Sequence, residues 1–356
     1  MKIMVCMRQI GGANAVIPVA RKLRQAGNQV SFYSQGVADK RFSTEFPLIF
    51  ADQLHVSRAL SWISPDVVLI ECVSPEEKDV IPLYVVNEVV ERNIPVVVVQ
   101  DFWGSGLSIP WENRPDVICV QDELAEKLVR SAWLERDYGV EITGQPAFDN
   151  MGDIDCEGAE MELRAMFDLK ENWPIVHYNA GYKGTADSIS TLVQALNYFQ
   201  QPVYLFIRFH PRMMDINASE AWKAEYQRYQ ELNPVLKYGQ AINTSGKDLS
   251  DLINAASRIV AGTYPTMIVQ ACYLRKACLS IMNEVAQKQF EIESSGILKA
   301  FPPTMLGCCY EATSVDETVK CLEKIFNGET LWEAQKKHFV SDGKSAERVA
   351  EIVAGL

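Results

Sequence analysis

The sequence predicts an α/β protein made of two doubly wound domains in tandem, each a parallel sheet flanked by helices. Short Val- and Ile-rich runs alternate with helix-like segments, which is the pattern of parallel strands buried on both faces. The alternation pauses over residues 144–158, a linker-like stretch rich in Gly, Pro, Asn and Asp, and then restarts. A chain of 356 residues is long enough for two domains.

The individual elements follow from the same alternation. In the first half we predict strands at 3–7, 30–33, 67–70, 96–99, 117–120 and 140–143, and helices at 13–26, 76–92 and 122–134. In the second half we predict strands at 175–178, 203–208, 235–238, 259–261 and 277–281, and helices at 186–199, 218–232, 249–256 and 265–274. An amphipathic helix over 342–356, with Asp342 as its N-cap, ends the chain. The predicted domains are therefore 1–150 and 151–340, with a cleft between them and a closing helix at 341–356.

Composition excludes several classes of protein. The formal net charge of -12 argues against a binder of duplex nucleic acid, although it leaves a local basic groove open. The longest apolar runs, such as "IPVVVV" at 94–99, are too short to cross a bilayer, and the N-terminus is typical of a first strand and not of a signal peptide. Nine cysteines form no CxxC motif or Cys/His cluster. We therefore expect no metal site, and reduced thiols in a cytoplasm.

The loop after the first strand disfavours a dinucleotide enzyme. It contains Gly11 and Gly12 but no third glycine, so the GxGxxG pattern is absent. The second strand ends in Ser34 and Gln35, without the acidic residue that would hold a ribose. Two interpretations of Gly11-Gly12 stay open, a simple tight turn or small residues that let a substrate approach the backbone.

A phosphate site is predicted where a strand of the second half ends in Gly262-Thr263 before a helix. A helix N-terminus offers free N–H groups and a partial positive charge, which suit an anion. Thr263 and Thr266 add hydroxyl donors, and Pro265 has no N–H to leave unpaired. The alternative is that each threonine is an ordinary N-cap.

A cationic cluster follows another strand of the second half. Arg208, His210 and Arg212 lie within five residues at the predicted strand end, which suits a pyrophosphate or nucleotide phosphate. We expect His210 to donate a hydrogen bond to phosphate, with its protonated form favoured by the bound anion. The alternative is that both arginines form salt bridges and His210 only packs.

The loop over residues 101–115 follows a predicted buried strand and is longer than most connections in a compact domain. Asp101 is its first ionisable residue and could accept a proton from an acceptor hydroxyl. The alternative is that Asp101 caps a turn or pairs with Arg114. Trp103 and Trp111 could stack on a sugar or cover apolar core.

Taken together, these segments resemble a GT-B glycosyltransferase, in the group that contains MurG-type transferases, lipid-A-disaccharide synthase, CDP-glycerol glycerophosphotransferases and non-hydrolysing UDP-N-acetylglucosamine 2-epimerases. The resemblance is carried by "MKIMVCMRQIGGANAVIPVARKLRQAGNQVSF", "EITGQPAFDN", "RFHPR", "AGTYPTMIVQACYLRKACLSI" and "DGKSAERVAEIV". It spans nearly the whole chain. One departure is Gln270, where many relatives carry a glutamate that holds the donor ribose, so UDP, CDP and CMP donors all stay open.

The resemblance implies a cytoplasmic glycosyltransferase that moves a sugar from a nucleotide-activated donor to a glycan, lipid-linked or protein acceptor in bacterial surface-glycan assembly. It implies no cofactor and no metal, and it leaves a homodimer and a peripheral membrane contact open. The implied catalytic residues are Asp101 and His210, the implied donor-side residues are Arg208, Arg212, Gly262, Thr263, Thr266 and Gln270, and the implied acceptor-side residues are Gly11, Gly12 and Trp103. The alternatives are a nucleotide-sugar epimerase or hydrolase of the same fold, and a nucleotide-sugar-binding protein without catalysis.

Overall fold

The computed structural model describes residues 1–8, 10–34, 48–50, 56–72, 81–107, 113–133, 138–215, 218–294 and 296–356. Within them the chain divides into two compact units. The first unit comprises Met1–Asn150, Glu293–Ile297 and Ser341–Leu356, and the second comprises Met151–Ile292 and Leu298–Val340.

The described part of the first unit holds a seven-stranded parallel sheet. Its strands are β1 (Lys2–Met7), β2 (Gln29–Ser34), β3 (Leu48–Phe50), β4 (Val67–Glu71), β5 (Val96–Val99), β6 (Val117–Val120) and β7 (Gly139–Ile142), in the order β3-β2-β1-β4-β5-β6-β7. Its helices are α1 (Ile10–Gln25), α2 (Val56–Ile63), α3 (Ile81–Glu91), α4 (Glu123–Ala132), a 3₁₀ helix (Pro146–Asp153) and the last helix of the chain, α15 (Ser345–Ala354).

The second unit holds a six-stranded parallel sheet in its described residues. Its strands are β8 (Ile175–Asn179), β9 (Val203–Arg208), β10 (Gly239–Asn243), β11 (Ile259–Gly262), β12 (Ala277–Ile281) and β13 (Tyr310–Ala312), in the order β10-β9-β8-β11-β12-β13. Its helices are α5 (Cys156–Phe167), α6 (Thr185–Tyr198), α7 (Pro211–Met214), α8 (Glu220–Leu232), α9 (Ser250–Ala256), α10 (Thr266–Tyr273), α11 (Glu284–Glu293), α12 (Pro302–Met305), α13 (Val315–Phe326) and α14 (Trp332–His338).

Both sheets reverse their winding direction at one place. In the first unit the chain winds outward from β1 to β3 and then returns to place β4 on the other side of β1; β8 and β11 are related in the same way in the second unit. The predicted doubly wound α/β fold is therefore confirmed. In such sheets the loops after the two strands that flank the reversal splay apart, and ligands bind between them. Ligand sites are therefore expected at these two topological switch points.

The C-terminal helix packs on the first unit. Ala346, Val349 and Val353 of α15 lie in the same apolar core as α1 and β1. The carboxylate of Asp149 accepts the N–H groups of Ser345 at 2.9 Å and Ala346 at 2.8 Å, so it neutralises the positive end of the helix.

Asp342, which the sequence predicts as the N-cap of this helix, does not cap it. Its carboxylate instead pairs with Arg348 at 2.7 Å, and α15 begins at Ser345. The prediction was wrong because the cap comes from a residue nearly two hundred positions earlier, which local sequence does not reveal.

In the two sheets, the remaining differences concern edge strands. The strand predicted at 235–238 is wrong: β10 begins at Gly239, whose added Cβ would overlap the backbone of Val203 on β9. Glycine is therefore needed for close pairing of these two strands, although glycine lowers strand propensity. The three-residue strands β3 and β13 were not predicted. The linker predicted over 144–158 contains the 3₁₀ helix and the start of α5.

Candidate functional site

The switch point of the second unit brings four strand ends into one row. Sheet register pairs Arg208 of β9 with Asn179 of β8, Asn179 with Gly262 of β11, and Gly262 with Ser280 of β12. A Cβ at Gly262 would lie 2.5 Å from the carbonyl oxygen of Asn179. Only glycine therefore lets these two strand ends lie this close.

Thr263 follows directly and is the most informative residue of this edge. Thr263 is 0% exposed, and its Oγ1 has no hydrogen-bond partner in the described part of the chain. A buried hydroxyl without a partner costs about 1–3 kcal/mol, so such a group calls for an explanation such as a ligand. The carbonyl of Thr263 accepts a hydrogen bond from the hydroxyl of Ser280, which holds the backbone of this residue in place.

Gly181, in the loop after β8, lies opposite this hydroxyl. A Cβ added at Gly181 would overlap the Thr263 Oγ1. The φ of Gly181 is not in the left-handed region, so steric space and not backbone conformation demands glycine here. The loops after β8 and β11 therefore meet at the buried hydroxyl, where the topology predicts a ligand.

The two helices that begin at this switch point differ in charge. The N-terminus of α6, after the β8 loop, already holds a carboxylate, because Glu225 accepts the N–H of Ala186 at 2.8 Å. The N-terminus of α10 follows Pro265 and has no side-chain cap. Within the described residues, no side chain caps the partial positive charge of the α10 N-terminus. This helix begins three residues after Thr263 with the exposed Thr266.

His210 lies on the neighbouring β9 side. Its ring stacks on Trp222 with centroids 4.5 Å apart, and its Nδ1 accepts the N–H of Arg212 at 3.2 Å. Burial lowers the pKa of His210 to about 4, helped by the positive charges of Arg212 and Arg208. The lowered pKa favours the neutral ring in the ligand-free protein, and because Nδ1 accepts a hydrogen bond the proton then lies on Nε2. The protonated form predicted from the sequence belongs to the phosphate-bound state and stays a prediction.

The side chain of Gln270 is already hydrogen-bonded within the second unit. Its side chain is buried in α10, its Nε2 donates to Asp251 at 3.0 Å, and its Oε1 accepts from Asn254 at 2.7 Å. Direct contact with a ribose would use the second N–H or the second lone pair of the Gln270 amide.

The first unit presents carboxylates at its own switch point. A Cβ at Gly11 would lie 3.1 Å from Oδ2 of Asp101, and one at Gly12 would overlap the carboxylate of Glu71. Glu71 ends β4, is 1% exposed, and accepts the N–H of Arg8 at 2.5 Å. The glycine pair therefore makes room for two carboxylates at the first turn of α1. Burial raises the pKa of Asp101, opposed by hydrogen bonds from Ser105 and nearby backbone.

Trp103 is packed within the first unit. It is buried, and its indole N–H donates to Asp122, the N-cap of α4, at 2.8 Å. Its ring therefore lies among protein groups. Trp111 lies outside the described residues.

Sequence reasoning missed Asn179, Gly181 and Glu71. The signal for the first two was the segment "NAGYKG", a pair of glycines between a buried strand and a helix. Glu71 ends the run "VVLIE", and an acid directly after four apolar residues is the corresponding signal.

The described residues contain neither a metal-binding cluster nor a membrane-spanning helix. No cluster of three or more His, Cys, Asp or Glu side chains there is arranged to hold a metal ion. Among the described helices, none combines the length and the apolar character needed to cross a membrane.

Solved structures share this fold over the full chain. This chain is similar to UDP-GlcNAc 2-epimerase from Neisseria meningitidis bound to UDP-GlcNAc, with 12% identity, a TM-score of 0.71 and 100% of both chains covered. It is similar to MurG from Acinetobacter baumannii, with 13% identity, a TM-score of 0.62 and 100% of both chains covered. A glycosyltransferase from Rickettsia africae gives 10% identity and a TM-score of 0.65, covering 99% of this chain and 97% of that one.

No protein-family model and no curated protein sequence matches this chain. The structural likeness establishes that the chain has the GT-B fold, as the sequence resemblance predicted.

Proposed function

We propose that this protein is a glycosyltransferase that uses a nucleotide-activated sugar and binds the donor phosphates at the switch point of the second unit. The observation that carries the proposal is the buried hydroxyl of Thr263, which has no partner among the described residues, beside the N-terminus of α10, which no described side chain caps. A phosphate oxygen would satisfy both groups at once. The neighbours that share the fold, among them an epimerase bound to UDP-GlcNAc, support a nucleotide sugar as the ligand.

On the donor side, the chemical task is to stabilise the charge that develops on the leaving phosphate. The backbone N–H groups of α10 and the Thr263 hydroxyl supply fixed donors, and Arg208 and Arg212 supply positive charge. His210 contributes as a neutral donor through Nε2, since its Nδ1 is already an acceptor. Fixed donors of this kind need no reorganisation as the bond to phosphate breaks.

On the acceptor side, Asp101 is the proposed general base. The acceptor hydroxyl oxygen would form a bond to the anomeric carbon while the bond from that carbon to the phosphate oxygen breaks, and the hydroxyl proton passes to Asp101. A raised pKa suits this role, because a base works best when its pKa is near the working pH. We propose that the acceptor is a glycan, a lipid-linked molecule or a protein. The transfer would take place in the cytoplasm and contribute to the assembly of cell-surface glycans.

A second candidate is a nucleotide-sugar 2-epimerase. It is favoured by the structural similarity to the Neisseria meningitidis enzyme and by a second one to the UDP-GlcNAc 2-epimerase of Methanocaldococcus jannaschii at a TM-score of 0.71. An epimerase changes its nucleotide sugar without any acceptor, whereas a transferase consumes it only when an acceptor is present.

Thermal shift with UDP, CDP, CMP, GDP and dTDP tests the binding step, because a ligand of the native state raises its apparent stability. The nucleotide that binds is then supplied as its nucleotide sugar, with and without an acceptor mixture, and followed by proton NMR. Acceptor-dependent release of nucleotide supports the transferase. An epimer formed without acceptor supports the second candidate, and stabilisation by none of the five nucleotides would contradict both.

A further inference from the structure

The indole of Trp222, on α8, lies between two rings that belong to loops of the candidate site. Its centroid is 3.9 Å from that of Tyr182, in the loop after β8, and 4.5 Å from that of His210, after β9, with interplanar angles of 28° and 23°. Two rings side by side on one face of an indole cannot both bring their centroids this close, so Tyr182 and His210 cover opposite faces. Trp222 is 9% exposed. A nucleotide base therefore has no free face of this indole on which to stack.

Trp222 contacts the cationic cluster at a second point. Cζ of Arg212 lies 5.9 Å from the centre of the indole ring, within reach of cation–π attraction. Trp222 also belongs to the apolar core of the second unit, together with Ile207 and Phe209 of the segment that leads to His210. The indole is therefore anchored in the core and contacts two residues of the cationic cluster.

Two independent contacts fix the ring of His210. The N–H of Arg212 donates to Nδ1 at 3.2 Å, which sets the edge of the ring that faces α7, and the stacked indole sets the plane of the ring. In the neutral ring Nε2 then carries the proton, and it has no hydrogen-bond partner among the described residues. Because His210 is partly exposed, its Nε2–H is the donor left for a ligand.

The same packing favours the neutral form of this ring. Burial is the largest cause of the lowered pKa of His210, about 4, and the charges that add to it are those of Arg212 and Arg208. Since the indole covers one face of the imidazole, it contributes to this burial.

We propose that Trp222 is a positioning residue for donor binding, which acts through His210 by holding its ring in the orientation that presents Nε2–H to the donor phosphate. The inference rests on the proposed function, because it assumes that the phosphate binds at this switch point. Tyr182 supports the other face of the indole, and the residue before it, Gly181, lies opposite the hydroxyl of Thr263. The indole thereby joins His210 to the loop that contacts Thr263.

Calorimetric titration tests the role of the indole, with whichever of UDP, CDP, CMP, GDP and dTDP gives the largest thermal shift. Trp222→Leu should bind this nucleotide about tenfold more weakly, the effect of one hydrogen bond to phosphate. Trp222→Phe keeps a ring against His210 and should stay within about twofold of the parent. Tyr229→Leu is the matched control, since Tyr229 lies on the same helix and packs on Phe209, with ring centroids 4.7 Å apart. It should keep the parent affinity; a loss equal to that of Trp222→Leu would overturn the inference.

A double-mutant cycle shows whether Trp222 acts through His210. His210→Asn removes the Nε2 donor while Asn still provides a side-chain cap for α7. In that background Trp222→Leu should weaken binding by less than about twofold, because the contact that it disturbs is already absent. Equal losses with and without His210 would overturn the inference, and so would parent affinity in a Trp222→Leu variant that thermal unfolding shows to be folded.

NMR of protein labelled with ¹⁵N-histidine tests the orientation in the unmodified parent. His210 should show the Nε2–H tautomer, and the Nδ1–H tautomer would overturn the inference. In Trp222→Leu the pKa of His210 should rise from about 4 toward its ordinary value of about 6.5, because one ring face loses its cover. An unchanged pKa would also contradict the inference. Failure of the parent to bind any of the five nucleotides is a different result, because it would overturn the proposed function itself.

Discussion

Replacing Thr263 by valine should change stability and ligand affinity in opposite directions. The hydroxyl is fully buried and has no partner in the described residues, so the ligand-free protein bears a desolvation cost of about 1–3 kcal/mol. Valine has nearly the same shape and no hydroxyl. We therefore expect Thr263→Val to stabilise the second unit by about 1 kcal/mol, which raises Tm by about 2–4 °C for a unit of this size.

The same variant should bind the nucleotide more weakly, by about 1–3 kcal/mol, because a hydrogen bond to a charged phosphate is lost. Calorimetric titration and thermal unfolding of one preparation give both quantities. Thr244→Val is the control: Thr244 is also buried at a strand end of this sheet, but its hydroxyl donates to the carbonyl of Ile207 at 3.3 Å. It should lower stability by about 1 kcal/mol and leave affinity unchanged. Destabilisation of Thr263→Val with unaltered affinity would refute the reasoning.

Three further predictions concern the two candidate sites. Gly181→Ala should cost about 1–3 kcal/mol of stability by overpacking against Thr263, and adding Thr263→Ala should restore most of it in a thermal double-mutant cycle; additive effects would mean that the residues do not touch. The pKa of His210 is about 4 without ligand, and we expect its ring to stay neutral with phosphate bound, so affinity for a nucleotide sugar should be flat in calorimetric titrations between about pH 6 and 8; affinity that rises as pH falls would indicate a protonated ring in the complex. Asp101→Asn should lower turnover by about 10²–10⁴ and leave nucleotide affinity unchanged, and the parent rate should fall on acidification at a pH above the ordinary aspartate pKa; equal losses of rate and affinity would indicate a structural residue.

The central strands of both sheets were predictable because a strand buried on both faces consists of consecutive apolar residues, and such a run is easy to identify in the sequence. The run "VVVV" of β5 and the run "VYLFIR" of β9 lie where the sequence placed them. Edge strands carry a weaker signal. β10 reads "GQAIN", with residues exposed to water, so its sequence is not distinguished from a loop.

The candidate site was predictable where its signal is local. Gly262 ends a buried strand and Thr263 follows it directly, and the structure shows why each residue type is present. Gln270 bonds to Asn254, 16 positions earlier, and to Asp251, 19 positions earlier, because their two helices pack together. No short sequence motif indicates such contacts. The carboxylate of Glu225 on the N-terminus of α6 is a similar long-range contact, and it decides which helix is open to an anion.

A crystal structure with the nucleotide that gives the largest thermal shift tests the central claim most directly. We predict a phosphate oxygen within about 2.5–3.0 Å of Oγ1 of Thr263, with other phosphate oxygens on the first N–H groups of α10. Phosphate bound elsewhere on the second unit, with the Thr263 hydroxyl still unpartnered, would contradict the account. So would a nucleotide held only by the first unit.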